Sequence, residues 1–276
     1  MLKMLITGSN GFIGKHLIEF YSNTYEIIEQ NRSININDAL NNKPDLIINC
    51  AASIYEQDGM FDSNVILVHT LLNYMIKNKS TKMIHLGSSS EYGKKPYETT
   101  ETDFPDPRTT YEATKSAATM LCVGYARAYD LSLAVARLYS VYGKYEKSYR
   151  LFPRLYNSFI KDEHMNLYNG FHDFIYIKDL IKGIDSLLLA DHDKMKGDIV
   201  NFGSGKQYSN FEILDMFKKI LKRDPKITIC NYMNKNFESE VWTCDKTYSL
   251  QKYNFKCEYS IQDGIIDLIK EKERLC

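Results

Sequence analysis

The segment Leu2-Lys3-Met4-Leu5-Ile6-Thr7-Gly8-Ser9-Asn10-Gly11-Phe12-Ile13-Gly14 decides the fold of this chain. Its first half is a short apolar run, which is typical of a buried parallel strand. The apolar spacing of Phe12–Tyr21 predicts a helix directly after the glycines. Glycine permits a tight turn there, and the free N–H groups at a helix N-terminus attract phosphate. The segment predicts a nucleotide-binding turn, although its spacing differs from Gly-x-Gly-x-x-Gly and a turn without a ligand remains the alternative.

The rest of the first half alternates between the two kinds of element. Further strands are predicted at Tyr25–Ile28, Asp45–Cys50, Lys82–Leu86 and Leu133–Leu138, and further helices at Val65–Lys77 and Tyr111–Tyr129. This alternation predicts an α/β fold with a doubly wound parallel sheet and a ligand cleft at the carboxyl ends of its strands. We place the sheet domain at residues 1–150 plus about 173–203. A smaller, discontinuous C-terminal lobe that binds substrate takes about 151–172 and 204–276.

Composition excludes several classes of function. The 276 residues carry a formal net charge of zero, which argues against a nucleic-acid partner and against attachment to a membrane through charge. No apolar stretch approaches the roughly 20 residues that span a bilayer. The six cysteines form no Cys-x-x-Cys pair and have no histidine at zinc spacing, so we expect reduced thiols, no metal site and a cytoplasmic protein.

The end of the second strand bears on the choice of dinucleotide. A carboxylate at this place pairs with a ribose diol, whereas a basic residue suits a 2′-phosphate. Glu29 favours NAD(H), while Arg32, with Asn31 and Ser33 as neutral donors, favours NADP(H). The sequence therefore favours NADP(H) and leaves NAD(H) possible, with Arg32 as a solvated loop residue in the second case.

Three side chains further along predict chemistry at a carbon that bears oxygen. Tyr111 and Lys115 share one face of their helix, so the ammonium is expected to lower the pKa of the phenol and to reach the cofactor ribose. Ser88 ends a strand and can donate a hydrogen bond to the substrate oxygen. A Tyr–Lys pair alone is also typical of an amphipathic surface, but together with the glycine turn it points to hydride transfer.

These motifs resemble the extended short-chain dehydrogenases/reductases of the nucleotide-sugar epimerase/dehydratase family. The resemblance rests on Thr7–Gly14, Asn49-Cys50-Ala51-Ala52, Gly87-Ser88-Ser89-Ser90-Glu91-Tyr92-Gly93, Tyr111-Glu112-Ala113-Thr114-Lys115, Arg137-Leu138-Tyr139-Ser140-Val141-Tyr142-Gly143 and His172–Asp179. It extends to about residue 180 and implies a Rossmann fold, a nucleoside-diphosphate-sugar substrate and, as is usual for relatives, a homodimer.

The resemblance also implies site residues. The implied catalytic residues are Ser88, Tyr111 and Lys115. The cofactor-binding residues are Gly8, Gly11, Phe12, Ile13, Gly14, Asn31, Arg32, Ser33, Ala51, Ala52, Tyr111, Lys115 and Tyr139. The substrate-binding residues are Ser88, Ser89, Ser90, Ser140, Arg154 and His172.

Departures from the family pattern narrow the reaction. Dehydratases of the family carry an Asp-Glu pair where this chain has Ser89 and Ser90, so dehydration is not expected. Relatives of GDP-fucose synthase have a reactive cysteine at the position of Ser90. Because a serine hydroxyl is a far weaker acid or base, Ser90 disfavours epimerisation at the carbons beside the ketone. His172 stands where the family often has an arginine that binds the substrate diphosphate.

Once dehydration and epimerisation beside the ketone are disfavoured, the remaining reaction is hydride transfer at C4 of the sugar. The sequence favours an NADPH-dependent reductase of a nucleotide 4-keto-6-deoxy or 3,6-dideoxy hexose, acting in deoxysugar biosynthesis for surface polysaccharide. The alternatives are an NAD-dependent nucleotide-sugar 4-epimerase and, third, a non-catalytic dinucleotide-binding regulator.

Overall fold

The computed structural model describes residues 1–55, 58–230 and 241–274. The strands are β1 (Lys3–Thr7), β2 (Glu26–Gln30), β3 (Leu46–Asn49), β4 (Lys82–Ser88), β5 (Leu133–Leu138), β6 (Ser140–Tyr142), β7 (Met165–Tyr168), β8 (Phe171–Tyr176), β9 (Asp198–Phe202), β10 (Gln207–Ser209) and β11 (Ile227–Cys230). The helices are α1 (Phe12–Tyr21), α2 (Ile36–Leu40), α3 (Leu67–Lys77), α4 (Thr110–Tyr129), α5 (Leu151–Ile160), α6 (Ile177–Leu188), α7 (His192–Met195), α8 (Asn210–Leu221), α9 (Thr247–Tyr253) and α10 (Ile261–Glu273).

A parallel sheet forms the centre of the fold. Six strands lie in the order β2-β1-β3-β4-β5-β9, and every neighbouring pair is parallel. The chain leaves β1 towards β2 on one side and returns to β3 on the other, which creates a crevice at the carboxyl ends of β1 and β3. The predicted α/β class and Rossmann-type sheet are confirmed.

Both faces of this sheet are buried, as the apolar runs predict. Along β1, Met4 and Ile6 point into one hydrophobic core, whereas Leu5 points into the other. The core that contains Leu5 lies against α3 and α4, and the core that contains Met4 extends through α6 into the second half of the chain. Side chains of successive strand residues point to opposite faces, so a strand covered on both sides has to be apolar throughout.

The second half of the chain adds two small sheets. Strands β10, β8 and β6 form one, and β11 pairs with β7 in the other. Aromatic rings fill the space beneath them, with Tyr142 stacked on Phe152 at a centroid distance of 4.1 Å. A Cβ at Gly264 would lie 2.0 Å from the Tyr142 hydroxyl oxygen, so only glycine lets α10 pack here. The predicted domain boundaries stay a prediction, and residues 231–240, 275 and 276 of the predicted lobe lie outside the described ranges.

Several element boundaries differ from the sequence prediction. Strand β2 continues to Gln30 instead of ending at Ile28, because it pairs with β1 along its whole length. Helix α3 is preceded by a π-helical turn over Asp62–Ile66. In the described part of the chain, no helix is both long and apolar enough to cross a membrane.

Candidate functional site

The glycine turn between β1 and α1 has the close packing that a dinucleotide requires. Gly8 has φ of +65°, and a Cβ there would lie 2.9 Å from the backbone nitrogen of Ala51. A Cβ at Gly14 would lie 2.4 Å from the carbonyl oxygen of Gly8, so α1 can start this close to the turn only with glycine. No side chain within the described ranges caps the N-terminus of α1, which leaves its N–H groups for a phosphate. These features fit a bound dinucleotide.

A chain of buried hydrogen bonds holds the segment after β3 beside this turn. The Ala51 N–H donates to Thr7 Oγ1 at 3.3 Å, and the Thr7 hydroxyl donates to Asn49 Oδ1 at 2.5 Å. Asn49 Nδ2 lies 2.9 Å from Nδ1 of His85 on β4. Burial lowers the pKa of His85 well below its usual value, so the imidazole is neutral and Nδ1 accepts from the amide. The predicted cofactor residue Ala51 is thereby fixed to three strands.

The turn after β2 carries the residues predicted to select the dinucleotide. Asn31 Oδ1 accepts the Ser33 N–H at 3.0 Å and the Ser33 hydroxyl at 2.6 Å, while Asn31 Nδ2 lies 3.5 Å from Ser9 Oγ in the glycine turn. Arg32 is exposed at this turn. Glu29 is an exposed residue within β2, opposite Ile6, so the carboxylate precedes the turn. The turn that joins β2 to α2 presents amide, guanidinium and hydroxyl groups.

Helix α4 places Tyr111 in its first turn because of a capping box. Thr109 Oγ1 accepts the N–H of Glu112 at 3.2 Å, and Glu112 Oε2 accepts the N–H of Thr109 at 3.0 Å. Residues 111 and 115 then share the face that packs on β4.

A buried asparagine that the sequence reading did not single out connects α4 to the loop after β3. Asn64 Nδ2 donates to Thr114 Oγ1 at 3.0 Å, and Asn64 Oδ1 accepts the N–H of Ser53 at 2.8 Å. Asn64 thereby holds the loop that carries Ala51 and Ala52 against the helix that carries Tyr111. No sequence signal sets Asn64 apart, because it follows the polar residues Asp62 and Ser63.

The predicted catalytic residues converge at the carboxyl end of β4. Ser88 is the last residue of β4, and its side chain lies beside the Tyr111 phenol and lowers the pKa of that phenol. Lys115 is 2% exposed, and its Nζ donates to the carbonyl oxygen of Leu86 at 2.5 Å. A hydroxyl, a phenol and an ammonium group therefore lie around the end of one strand.

The predicted effect of Lys115 on Tyr111 is wrong for this structure. Burial raises the pKa of Tyr111, and the Ser88 side chain opposes that rise only in part. Lys115 is directed to the backbone of β4, and its own pKa is lowered by burial. The phenol is therefore protonated at neutral pH in this structure.

Beneath Ser88 lies a buried ion pair, Glu91–Arg137, which we call the inner pair. Glu91 Oε1 accepts the N–H of Ser88 at 2.7 Å, and Glu91 Oε2 lies 2.9 Å from Arg137 Nε. The two side chains are 0% and 1% exposed. The guanidinium also stacks on Tyr92, with Cζ 4.4 Å from the ring centroid.

A second ion pair, Glu146–Arg150, lies at the mouth of the site, and we call it the outer pair. Glu146 Oε1 lies 3.3 Å from Arg150 Nε, and the Arg150 side chain is 48% exposed. The positive charge of Arg150 lowers the pKa of both Tyr111 and His172, so this guanidinium lies near the predicted catalytic and substrate residues. Beside it, the rings of Tyr149 and Tyr55 meet at 5.8 Å across the entrance.

The predicted substrate residues have different surroundings. Burial, followed by the charge of Arg150, lowers the pKa of His172 to about 4, so the imidazole is neutral at pH 7. Ser90 Oγ lies 2.7 Å from Ser88 Oγ. Arg154 lies one turn along α5 from Arg150 and donates to the carbonyl oxygen of Asn166, within the second half of the chain.

Three further predicted residues frame the end of β5. Ser89 is buried beside Ser88, and Ser140 begins β6. The hydroxyl of Tyr139 is hydrogen-bonded to Thr99 Oγ1, and Tyr139 is 6% exposed.

Sequence reasoning missed the roles of both ion pairs. Glu91 lies in a motif that indicates only the family, and of the two arginines only Arg154 is a predicted substrate residue. The periodicity of α5 does not say which of two arginines one turn apart faces the cleft.

Metal chemistry has no candidate among the residues that the structure describes, because they contain no cluster of three or more His, Cys, Asp or Glu side chains suited to an ion. The cysteines Cys50, Cys122, Cys230, Cys244 and Cys257 are free thiols. Cys276 lies outside the described ranges.

Fold and site together define a dinucleotide-binding α/β protein with a Ser–Tyr–Lys constellation. The model of the NAD dependent epimerase/dehydratase family matches residues 4–203, and the chain belongs to this family. The predicted family resemblance is thus confirmed.

Individual relatives are distant. The chain is 23% identical over 209 residues to YtcB of Bacillus subtilis (strain 168), an uncharacterized UDP-glucose epimerase; the match covers 75% of this chain and 65% of YtcB. It is 22% identical to protein CapI of Staphylococcus aureus over 96% of both chains.

Solved structures share the fold over the whole chain. UDP-glucuronic acid 4-epimerase from Bacillus cereus, in complex with UDP-glucuronic acid and NAD, superposes with a TM-score of 0.88, 22% identity and full coverage of both chains. The dTDP-glucose 4,6-dehydratase from Bacillus anthracis in complex with NAD has a TM-score of 0.87 and 21% identity, over 99% of this chain and 97% of that one.

Proposed function

We propose that this protein is an NAD-dependent nucleotide-sugar 4-epimerase. The observation that carries the proposal is that Ser88, Tyr111 and Lys115 lie around the carboxyl end of β4, at the same edge of the sheet as the glycine turn. Support also comes from the relatives and solved structures named as 4-epimerases with UDP-sugars. This reverses the order of the two readings that the sequence alone favoured.

The residues divide the chemistry at C4 of the sugar. When bound, NAD supplies a reversible hydride acceptor. Tyr111 Oη removes the proton from the 4-hydroxyl and later returns it to O4, which is general acid–base catalysis. Ser88 Oγ donates a hydrogen bond to the same oxygen, where negative charge develops. Lys115 is our proposed ligand of the cofactor ribose, and the positive charge of Arg150 lowers the pKa of Tyr111 and so favours its phenolate form.

Dehydration does not suit this site. The two positions after Ser88 are hydroxyl residues, and the only carboxylate of the turn, Glu91, is bound to the Ser88 N–H and to Arg137. Among the residues that the structure describes, the turn after β4 therefore offers no free carboxylic acid to a sugar held at Ser88.

Arg150 is our proposed ligand of the substrate diphosphate. Its guanidinium is half-exposed, lies near Tyr111 and His172, and forms two-pronged contacts with phosphate readily. The neutral His172 contributes a hydrogen bond without charge. Arg154, which the sequence suggested for this role, is hydrogen-bonded to Asn166 instead and serves as the comparison residue.

A specific observation favours a second candidate, the NADPH-dependent 4-ketoreductase of deoxysugar biosynthesis for surface polysaccharide. The turn of Asn31, Arg32 and Ser33 presents donors and a positive charge, which suits a 2′-phosphate. Glu29 lies within β2 instead of at its end.

Cofactor stoichiometry separates the two candidates. Purified protein is incubated with UDP-glucose or UDP-glucuronic acid and a trace of NAD, and the sugar epimers are separated by chromatography. We expect many turnovers per NAD and no net change in nicotinamide absorbance. Consumption of one NADPH for each molecule of a nucleotide 4-keto-6-deoxysugar, without epimer formation, would establish the reductase instead.

We also propose a cytoplasmic homodimer. Ile66, in the π-helical turn that packs on α4, and Met120 on α4 are each 46% exposed, and exposed apolar side chains are candidates for an interaction surface. Light scattering of the purified protein is expected to give twice the mass of the chain.

A further inference from the structure

The inner pair lies directly under the serine of the site. Glu91 is 0% exposed, and each of its carboxylate oxygens has a separate partner, the Ser88 N–H and Arg137 Nε. Arg137 stacks on the ring of Tyr92, and the Tyr92 hydroxyl in turn donates a hydrogen bond to Oδ1 of Asn201 on β9 at 2.8 Å. Glu91 is therefore held from the sheet and in turn holds the backbone of Ser88.

Ser88 is restrained from both sides. Its N–H is held by Glu91 at 2.7 Å, while its Oγ accepts the Ser90 N–H at 3.3 Å. A Cβ at Gly87 would lie 2.8 Å from Glu91 Oε1, so a glycine at this position makes room for the carboxylate. Backbone and hydroxyl of Ser88 are thus fixed together.

Stability alone does not explain a buried ion pair at this place. Removing two charges from water is expensive, and apolar residues of similar size are often equal or better by about 1–4 kcal/mol. Capping boxes elsewhere in this chain, such as Thr109 with Glu112 and Ser260 with Asp263, use carboxylates that are not fully buried. Among the capping boxes in the described residues, only the box at Ser88 uses a carboxylate that is fully buried and bound to an arginine.

We propose that Glu91, held by Arg137, is a positioning residue that fixes the Ser88 hydroxyl against Tyr111. This inference rests on the proposed function, because it gives Ser88 a substrate oxygen to bind. Glu91 itself touches neither substrate nor cofactor in this scheme. Its effect is on the placement of the serine.

The test replaces both charges at once with Glu91→Leu/Arg137→Met. This leaves no unpaired buried charge, so we expect a folded protein with a Tm near that of the parent. The loss of the acceptor frees the Ser88 N–H, and we expect kcat to fall about 10- to 100-fold with KM nearly unchanged, since small misplacements of a reacting group have effects of this size. Deuterium exchange of the Ser88 amide is expected to speed up in the same variant.

A second variant, Gly87→Ala, keeps both charges and crowds the carboxylate most, since the new Cβ would lie 2.8 Å from Glu91 Oε1, 3.0 Å from Val135 Cγ1 and 3.3 Å from Arg137 Cγ. We expect it to change kcat and the Ser88 amide exchange in the same directions. Asp263→Leu removes the capping carboxylate of α10 as a matched control and should leave kcat unchanged. A folded double variant with parental kcat would show that the inner pair is merely structural.

Deuterium exchange of the Ser88 amide also separates the positioning role of Glu91 from the proposed 4-epimerase function. If the parent protein converts no nucleotide sugar, the proposed function fails, while accelerated Ser88 exchange in both variants still supports the positioning contact. If exchange at Ser88 is the same in parent and variants, the positioning role is wrong whatever the reaction.

Discussion

The inner and outer pairs consist of the same two residue types, but the arginine is buried in the inner pair and half-exposed in the outer pair. Glu91 and Arg137 are buried between β4 and β5, 2.9 Å apart, whereas Arg150 is half-exposed and lies 3.3 Å from Glu146. Both bear on Tyr111: Glu91 raises its pKa and Arg150 lowers it. The tyrosine lies between a fixed negative charge and a movable positive one.

Burial explains why the pairs suit different tasks. Breaking a buried pair leaves an uncompensated charge and typically costs about 3–5 kcal/mol, so the inner pair stays closed. In the outer pair only the arginine is accessible, since the Arg150 side chain is 48% exposed and that of Glu146 5%. Burial raises the pKa of Glu146 to about 7, so Arg150 can leave this carboxyl for an anionic ligand at least cost where the carboxyl is protonated. The inner pair is therefore suited to holding a residue still, and the outer pair to binding substrate.

The largest effect on activity is expected for Tyr111, because residues of both pairs influence its pKa. Tyr111→Phe removes the proton carrier, and kcat should fall on the order of 10²- to 10⁴-fold, the range of general acid–base catalysis. Cofactor affinity, followed by fluorescence quenching, should change little. Retention of most of the activity would show that another group moves the proton and that the pairs do not act through Tyr111.

The outer pair is tested by two arginines one turn apart on α5. Arg150→Gln should weaken substrate binding about 10- to 100-fold, because a charged hydrogen bond contributes about 1.5–3 kcal/mol. Arg154→Gln should leave KM close to the parental value. Calorimetry with UDP as the probe measures the same loss without turnover, and equal losses in both variants would contradict the assignment.

The smallest effect concerns pH. Burial, only partly offset by Arg150, raises the pKa of Glu146 to about 7. Above that pH the carboxylate is ionised and competes with the substrate for Arg150, whereas below it the carboxyl is neutral. KM should therefore rise a few-fold as pH increases from about 6 to about 8. Glu146→Gln should flatten this profile, and an unaltered slope would assign the titration to another group.

Local patterns made the glycine turn and the three predicted catalytic residues accessible from sequence. A strand followed by glycines and a helix, and residues four apart on a helix, are set by backbone geometry within a short stretch. The same holds for the alternating elements that predicted the parallel sheet. The direction of Glu91 could not be predicted, because its partner Arg137 comes from another strand, 46 residues away.

The sequence by itself determined a parallel α/β sheet, the glycine turn after its first strand, the position of Ser88 at a strand end and the shared helix face of Tyr111 and Lys115, since each depends on neighbours along the chain. Tertiary structure decided which arginine faces the cleft, what lies beneath Ser88, and the raised pKa of Tyr111. These depend on burial and on charges from distant segments, which act through space and leave no periodic trace in the residue order.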